Sequence, residues 1–483
     1  MKANRLILTK PALALGLAIL VAPAFLAQPV CAAEKKAKVS SHKKKNAAPP
    51  SGKETAPAPA PEAPKGLLPI PDYSGDLWTR KYLSGDWGGT RTDWANKGVQ
   101  FGFSWAQWLQ GVTDGGLDRR TNYGGLIDYT LDLDLMRMGV MPGALVKIRA
   151  ESRYGNSVNG SAGSVLPVNT AALFPLTSKL DADVPFTITD LNYTQFLSEH
   201  FGVTLGKLST LDADLNEFAS GRGTSQFMNG NFLFNPALAL RLPYSTLGAG
   251  VIWMPKPPGV DGGITVSSLV LNTDDSSTST GFDDFGKGGT WTTEADFQYR
   301  LGALPGGMNV GFLYSFDQNF AHLGGRLIFQ PGEGLVIPRK DSTWAVYWSG
   351  WQYLYTPETQ KAPFDLFNGR PDLKGIGLFA RFGVADKETN PVEWGISGGI
   401  GGRGMIPSRD NDTFGIGCYY NSIQKTRLFT AAGVENSTSG FEAFYNIAVT
   451  PACFITLDIQ VIKPVAVDLD TATVLGVRAG FVF

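Results

Sequence analysis

The sequence predicts an all-β fold, a 16-stranded antiparallel transmembrane β-barrel preceded by a short N-terminal helix and a disordered N-terminal tail. Three observations predict it. Apolar and polar residues alternate over long stretches, as in "LIDYTLDLDL", where Ile127, Tyr129, Leu131, Leu133 and Leu135 share one face and Asp128, Thr130, Asp132 and Asp134 the other. Many such stretches run 10 to 13 residues, the length a tilted membrane strand needs rather than the usual strand of about 5–6. Finally, long and short connections tend to alternate, as they do when loops crowd one rim of a barrel and tight turns the other.

The elements follow in chain order. Lys2, Arg5 and Lys10 lead into "PALALGLAILVAPAFLA" and then "CAAE", a secretory signal over residues 1–33 with cleavage expected after Ala33. "QPVC" before it lacks the Leu and small residues of a lipoprotein signal. Residues 34–66 are rich in Lys, Ala and Pro and too poor in large apolar residues to bury a core. They read as a solvated linker; a tether to an anionic polymer such as the cell wall is the alternative. The signal carries +3 and this tail +5, so in a chain of net charge −1 the remainder stands at −9. Residues 67–98 hold a Gly-rich turn, Gly85, Gly88 and Gly89, and then "TRTDWANKG", about two helical turns stopped by Gly98. The barrel occupies 99–483. Its strands are expected at 99–110, 121–137, 143–154, 186–198, 201–208, 245–255, 263–272, 289–301, 307–317, 343–354, 374–385, 392–403, 412–422, 438–450, 452–463 and 472–483. The links 355–373 and 386–391 break the long–short rhythm and leave the register there open. The chain ends on "TVLGVRAGFVF", with Leu475, Val477, Ala479, Phe481 and Phe483 on one face. In a closed barrel that strand pairs with the first, leaving no open edge.

Composition excludes several functions. Only His42, His200 and His322 occur, in a tail, a turn and a loop, so neither a metal cluster nor a Ser-His-Asp set assembles. Acid pairs such as Asp132 with Asp134 or Glu294 with Asp296 are i, i+2 neighbours lining a wet strand face rather than a hydrolytic pair. No phosphate loop is present, and an acidic folded part argues against nucleic acid. No catalytic residue, metal or cofactor is expected. Cys418 and Cys453 fall on outward faces with one strand between them, about 9.5 Å apart at that spacing, beyond the reach of a disulfide. Two free, lipid-facing thiols are expected.

The stretch "YLSGDWGGTRTDWANKGV" resembles the motif that precedes the first strand in the carbohydrate-selective porin family, the OprB-like porins. "YTLDLDL", "GVTLGKLSTLD", "FMNGNFLFNP", "LPYSTLGAGVIWMP" and "CFITLDIQVIKP" carry the resemblance onward, over roughly residues 81–483. The Lys/Pro/Ala tail is a departure from the family pattern. The resemblance implies an outer-membrane porin that lets neutral sugars diffuse passively into the periplasm. A general or ion-selective diffusion porin on the same fold is the first alternative, and a secreted β-rich sugar-binding or hydrolytic protein the second. The terminal strand, ending in Phe, resembles the signal by which outer-membrane assembly machinery recognises its clients. The assembly is left open between monomer and homotrimer.

A barrel of about 16 strands leaves an aqueous channel, so its polar face should meet the solute. The strand "ALVKIRAESRYG" sets Lys147, Arg149, Glu151 and Arg153 on one side. Arg381, Asp458 and Arg478 take the same face of later strands. The link 209–244, with Arg222, Asn229, Asn231 and Arg241, is long enough to fold into the lumen as a constriction. Arg149, Glu151, Arg222 and Arg241, with Arg381 opposite, are expected to form the narrowest polar ring. Trp105 with Trp108 and Trp348 with Trp351 differ by three, so one of each pair should face inward, although the lipid-interface belt is expected to claim three of the four.

Overall fold

The computed structural model describes residues 66–177, 182–210, 216–239, 242–273, 277–282, 288–316, 320–330, 334–357, 362–365, 370–371 and 373–483. The signal and nearly all of the Lys-rich tail lie outside them.

Period-2 alternation yields strands wherever it was read. They are β1 (Val99–Asp114), β2 (Thr121–Asp134), β3 (Ala144–Gly155), β4 (Val184–Phe196), β5 (Phe201–Ser209), β6 (Ser245–Lys256), β7 (Gly263–Asn272), β8 (Gly289–Leu301) and β9 (Leu304–Phe316). Four short strands follow in one link: β10 (Phe320–Ala321), β11 (Ile328–Gln330), β12 (Gly334–Val336) and β13 (Arg339–Lys340). Then come β14 (Thr343–Tyr355), β15 (Gly375–Ala385), β16 (Val392–Arg403), β17 (Thr413–Ile423), β18 (Ser437–Thr450), β19 (Cys453–Ile462) and β20 (Ala472–Val482). Apart from β10–β13, which pair among themselves, these strands close one antiparallel barrel of sixteen in sequence order. The seam is β1 against β20, with Trp105 opposite Phe481 and Trp108 opposite Arg478.

The outer surface is apolar. Leu109, Val251, Ile416, Leu457, Leu475 and Val477 are among its exposed residues, as a lipid-facing belt requires. No helix is long and apolar enough to cross a membrane among the described residues. Seven links share a rim with the start of β1 and the end of β20, and six are short; 356–374 is the exception. The long links 156–183, 210–244 and 317–342 lie at the other rim.

The motif ahead of β1 folds as the turn and the helix Thr90–Asn96. It fastens the seam. Leu83 N–H donates to Val482 O at 2.7 Å, and Arg91 Nη2 donates to Phe101 O at 2.9 Å and Phe483 O at 3.2 Å. The buried Arg91 guanidinium lies 4.0 Å from the Tyr73 ring centroid, 5.0 Å from that of Tyr82 and 5.1 Å from that of Trp87.

Both cysteines are unpaired and face outward. Their separation exceeds the expected two strand spacings. Cys418 is level with Phe441 and Val461, whereas Cys453 lies eight residues earlier, at the start of β19, an offset along the strands of roughly 26 Å at 3.3 Å per residue. The tryptophans split evenly. Trp108 and Trp351 point inward and are buried, while Trp105 and Trp348 face outward. The belt therefore takes two of the four rather than three, because inward packing against the infolded loops claims the others.

Candidate functional site: a loop folded into the lumen

The link between β5 and β6 turns inward, and its described stretch 216–239 is mostly buried inside the barrel. Its aromatic residues supply the adhesion. Phe227 stacks on Phe232 with centroids 4.7 Å apart and meets Phe444 at 4.9 Å and Phe379 at 5.3 Å. Phe218 packs on Tyr353 at 4.9 Å. The wall makes room with glycine. A Cβ on inward-facing Gly417 would lie 2.7 Å from the Phe232 ring, and one on Gly377 2.4 Å from the Phe218 ring. The alternation "FMNGNFLFNP" supplies Phe for this core and Asn for the polar contacts below.

Polar groups of the barrel wall satisfy the loop's backbone, as burial demands. Arg381 donates to Phe232 O and Ala219 O at 2.5 and 2.6 Å. Arg478 donates to Gly223 O at 2.6 Å, Gln226 O at 2.9 Å and Thr456 Oγ1 at 3.0 Å. Glu442 accepts from the N–H groups of Met228 and Asn229 at 2.5 and 2.9 Å. Asn229 Nδ2 donates to Gln460 Oε1 at 3.1 Å, and Gln460 Nε2 donates in turn to Asp458 Oδ1 at 2.9 Å. Asn421 donates to Asn231 Oδ1 at 2.7 Å. Arg381, Arg478, Asp458, Asn229 and Asn231 are all buried at this loop–wall contact.

The tip of the loop reaches the opposite wall through Arg222. Its backbone is left-handed, φ 54°, which aims the side chain across the lumen. Nη1 donates to Asp128 Oδ1 at 2.9 Å, and Nη2 donates to Glu151 and to Tyr244 Oη. The guanidinium lies 4.5 Å from the Phe174 ring centroid. Tyr244 Oη donates to the buried Glu151 carboxylate at 3.0 Å. Arg153, on the same face of β3, donates to Ala172 O and Leu173 O at 3.0 and 2.9 Å and holds the link 156–183.

The inward face is thereby divided. From β15 to β20 most of its polar residues are buried under the loops. From β2 to β4 and on β8 it keeps partial solvent access at Asp128, Thr130, Asp132, Lys147, Arg149, Asp190, Asn192, Glu294 and Asp296. Across this arc Asp132 stands opposite Lys147, and Arg149 opposite Thr130 and Asp190. Arg149, Glu151 and Arg222 are thus brought together, Arg381 lies across the loop from them, and Arg241 lies outside the described residues. Sequence reading missed Asp128 and Tyr244 as partners of Arg222, and Glu442 as a loop anchor. Glu442 sits in "SGFEAFYNI", where alternation gives its face but nothing gives its partner.

A closed sixteen-strand barrel, apolar outside, with a solvated polar arc and an infolded loop within, is a porin. The sequence profile of the carbohydrate-selective porin, OprB family, matches residues 118–483, and the chain belongs to that family. The high-pH structure of Pseudomonas putida OprB superposes with a TM-score of 0.70 at 21% identity, covering 85% of this chain and 100% of that one. The low-pH structure of the same protein superposes with a TM-score of 0.51 at 18% identity, over 84% and 99%. No curated protein sequence matches. The protein is a carbohydrate-selective porin of the bacterial outer membrane, a channel for sugars. The rim carrying the start of β1 and the end of β20 is accordingly periplasmic, and the rim of long links extracellular.

Proposed function

We propose that sugars cross the barrel through a crescent between the infolded loop and the solvated arc of β2–β4 and β8. Arg149, Glu151 and Arg222 mark its narrowest polar ring. The observation that carries this reading is the division of the inward face: polar residues are half-buried on the arc and buried under the loop elsewhere. Lys147, Arg149 and Arg222 stand among Asp128, Asp132 and Asp190, with the fully buried Glu151 behind Arg222 as its partner, so donors and acceptors of both signs line one short path. A neutral polyol exchanges its water for these fixed partners at little net cost. A bare ion gains less, because neighbouring charges of opposite sign cancel much of the field. Arg381, Arg478, Asp458, Asn229 and Asn231 act one step back from the solute, by holding the loop that narrows the path. Arg241 belongs to the same loop and is assigned to the ring on sequence grounds alone.

Export and assembly follow from the chain ends in this reading. The signal is removed after Ala33, residues 34–66 are a solvated linker or a tether to the cell wall, and the β20 strand is presented to the assembly machinery. One barrel holds one complete path, so a monomer suffices for transport and a homotrimer would multiply it.

Excising residues 216–230 tests the constriction. Single-channel conductance should rise and sugar block should weaken; unchanged conductance would place the constriction elsewhere.

A further inference from the structure

One periplasmic link, 356–374, is far longer than its neighbours, and its described residues turn into the barrel rather than away from it. Phe364 and Leu373 are buried in the same apolar cluster as Phe218 of the lumen loop and Trp351 and Tyr353 of β14. Arg300, the last inward residue of β8, donates to Val260 O at 2.8 Å and to Ala362 O, with its guanidinium 5.3 Å from the Phe364 ring centroid. Phe364 N–H donates to Gly259 O at 3.2 Å. The link is therefore pinned to the β6–β7 turn and the end of β8, inside the rim.

Its other end touches the lumen loop. Arg370 Nη1 donates to Ser220 Oγ at 2.7 Å and to Asn216 O at 3.4 Å. Tyr353 Oη donates to Glu217 Oε1 at 2.8 Å and lies 3.2 Å from Leu373 O, sitting between link and loop. These contacts gather on residues 216–220, the leg by which the loop enters the lumen. The same leg bears Ala219 O, one of the two carbonyls that Arg381 holds.

We propose that the periplasmic link positions the constriction from below, with Arg370 as a positioning residue for sugar passage. From above and from the sides the loop is held by the wall, by Arg222 at its tip and by the extracellular link 156–183, where Thr170 N–H donates to Met228 O and Gly230 N–H donates to Pro167 O, both at 2.8 Å. Arg370 adds a strut from the periplasmic side and fixes the height and tilt of the entering leg. The inference rests on the loop being the constriction, and the experiments separate the two.

Arg370→Ala, Ser220→Ala and the double variant are recorded as single channels in planar bilayers, with a neutral sugar as blocker. Each single variant should raise open-channel current noise and shorten sugar blocks about tenfold or more, the scale of losing one charged hydrogen bond. The double variant should add little to Arg370→Ala, because Ser220→Ala cuts a contact that the loss of Arg370 has already removed. Heat-modifiability of the barrel should stay as in wild type, since the sixteen-strand ladder is untouched. Noise and block like those of wild type in both single variants would overturn the proposal, as would fully additive effects. If Arg370→Ala does not fold, Ser220→Ala removes the acceptor, along with the long 3.3 Å contact from Ser220 Oγ to Gln226 Oε1, and carries the same expectation. Loop excision that raises conductance while both single variants behave as wild type would reject the strut and keep the constriction. Excision without effect would reject the constriction.

Discussion

Removing Arg222 perturbs the ring at the point where loop and wall meet. Arg222→Ala takes the guanidinium from Asp128, Glu151 and Tyr244 at once. Breaking a buried ion pair costs about 3–5 kcal/mol when the remaining charge is stranded. Glu151 is fully buried but keeps both contacts from Tyr244 Oη at 3.0 Å, and Arg222 is itself partly solvated. The expected cost of holding the loop tip is therefore lower, about 2–3 kcal/mol, which moves a docked-to-released equilibrium by roughly 30- to 150-fold. The backbone offers an internal control. Arg222 sits at φ 54°, so Arg222→Gly loses the same contacts but relieves left-handed strain, and should recover about 0.5–1 kcal/mol relative to Arg222→Ala. Single-channel records in a salt gradient read both effects. Current noise should rise in the order wild type, glycine, alanine. The reversal potential should shift toward cations in both variants, because Asp128 and Glu151 lose their counter-charge. Wild-type noise and reversal potential in both variants would refute the reasoning.

Four other outcomes follow from the structure. Arg91→Ala should lower the temperature at which the barrel unfolds in detergent, because it removes three carbonyl contacts and three ring contacts around the seam, together about 2–4 kcal/mol; an unchanged midpoint would show that the seam holds without it. Gly417→Val should push a methyl group into the Phe232 ring and cost about 1–3 kcal/mol, raising channel noise without altering the β16–β17 pairing; quiet channels would contradict the close packing. Oxidation should leave Cys418 and Cys453 uncrosslinked while a lipid-soluble maleimide labels both, read by mass spectrometry. At the extracellular rim, the hydrogen bond from Lys340 holds the Glu388 carboxyl below its ordinary 4.5, and the bonds to Asp386 and Glu388 hold Lys340 above its ordinary 10.5. The Glu388 contribution is thus present above the ordinary carboxylate range and lost as pH falls through its depressed value. Lys340→Gln should abolish that acid-dependent loosening of the 317–342 link, measured as protease access against pH.

The barrel was legible because its physics is local. Alternation fixes which residues meet lipid, and the segment lengths fix a membrane span, so all sixteen strands lie where the pattern put them. The ends moved by a few residues for reasons that are not local. β1 runs on to Asp114 because that residue still pairs with Thr473 beyond a bulge that follows Val112. β2 stops at Asp134 because that carboxylate leaves the ladder to accept from the N–H groups of Arg137 and Leu68. The site was legible only in part. Length and composition pointed to an infolded loop, and alternation put Arg381 and Arg478 on the inner face. Nothing along the chain says that these two arginines spend their donors on loop carbonyls while Arg149 keeps solvent access. That depends on which side of the lumen the loop takes. The inward glycines of β15–β17 decide it, by clearing a wall into which Phe218, Phe227 and Phe232 can pack.

The most direct measurement is single-channel conductance of the purified porin in planar bilayers, titrated with a panel of neutral sugars. A crescent lined by fixed donors and acceptors of both signs predicts saturable, concentration-dependent block by at least one sugar, and weaker block of the same sugar in Arg149→Ala. Current that no sugar reduces would contradict it.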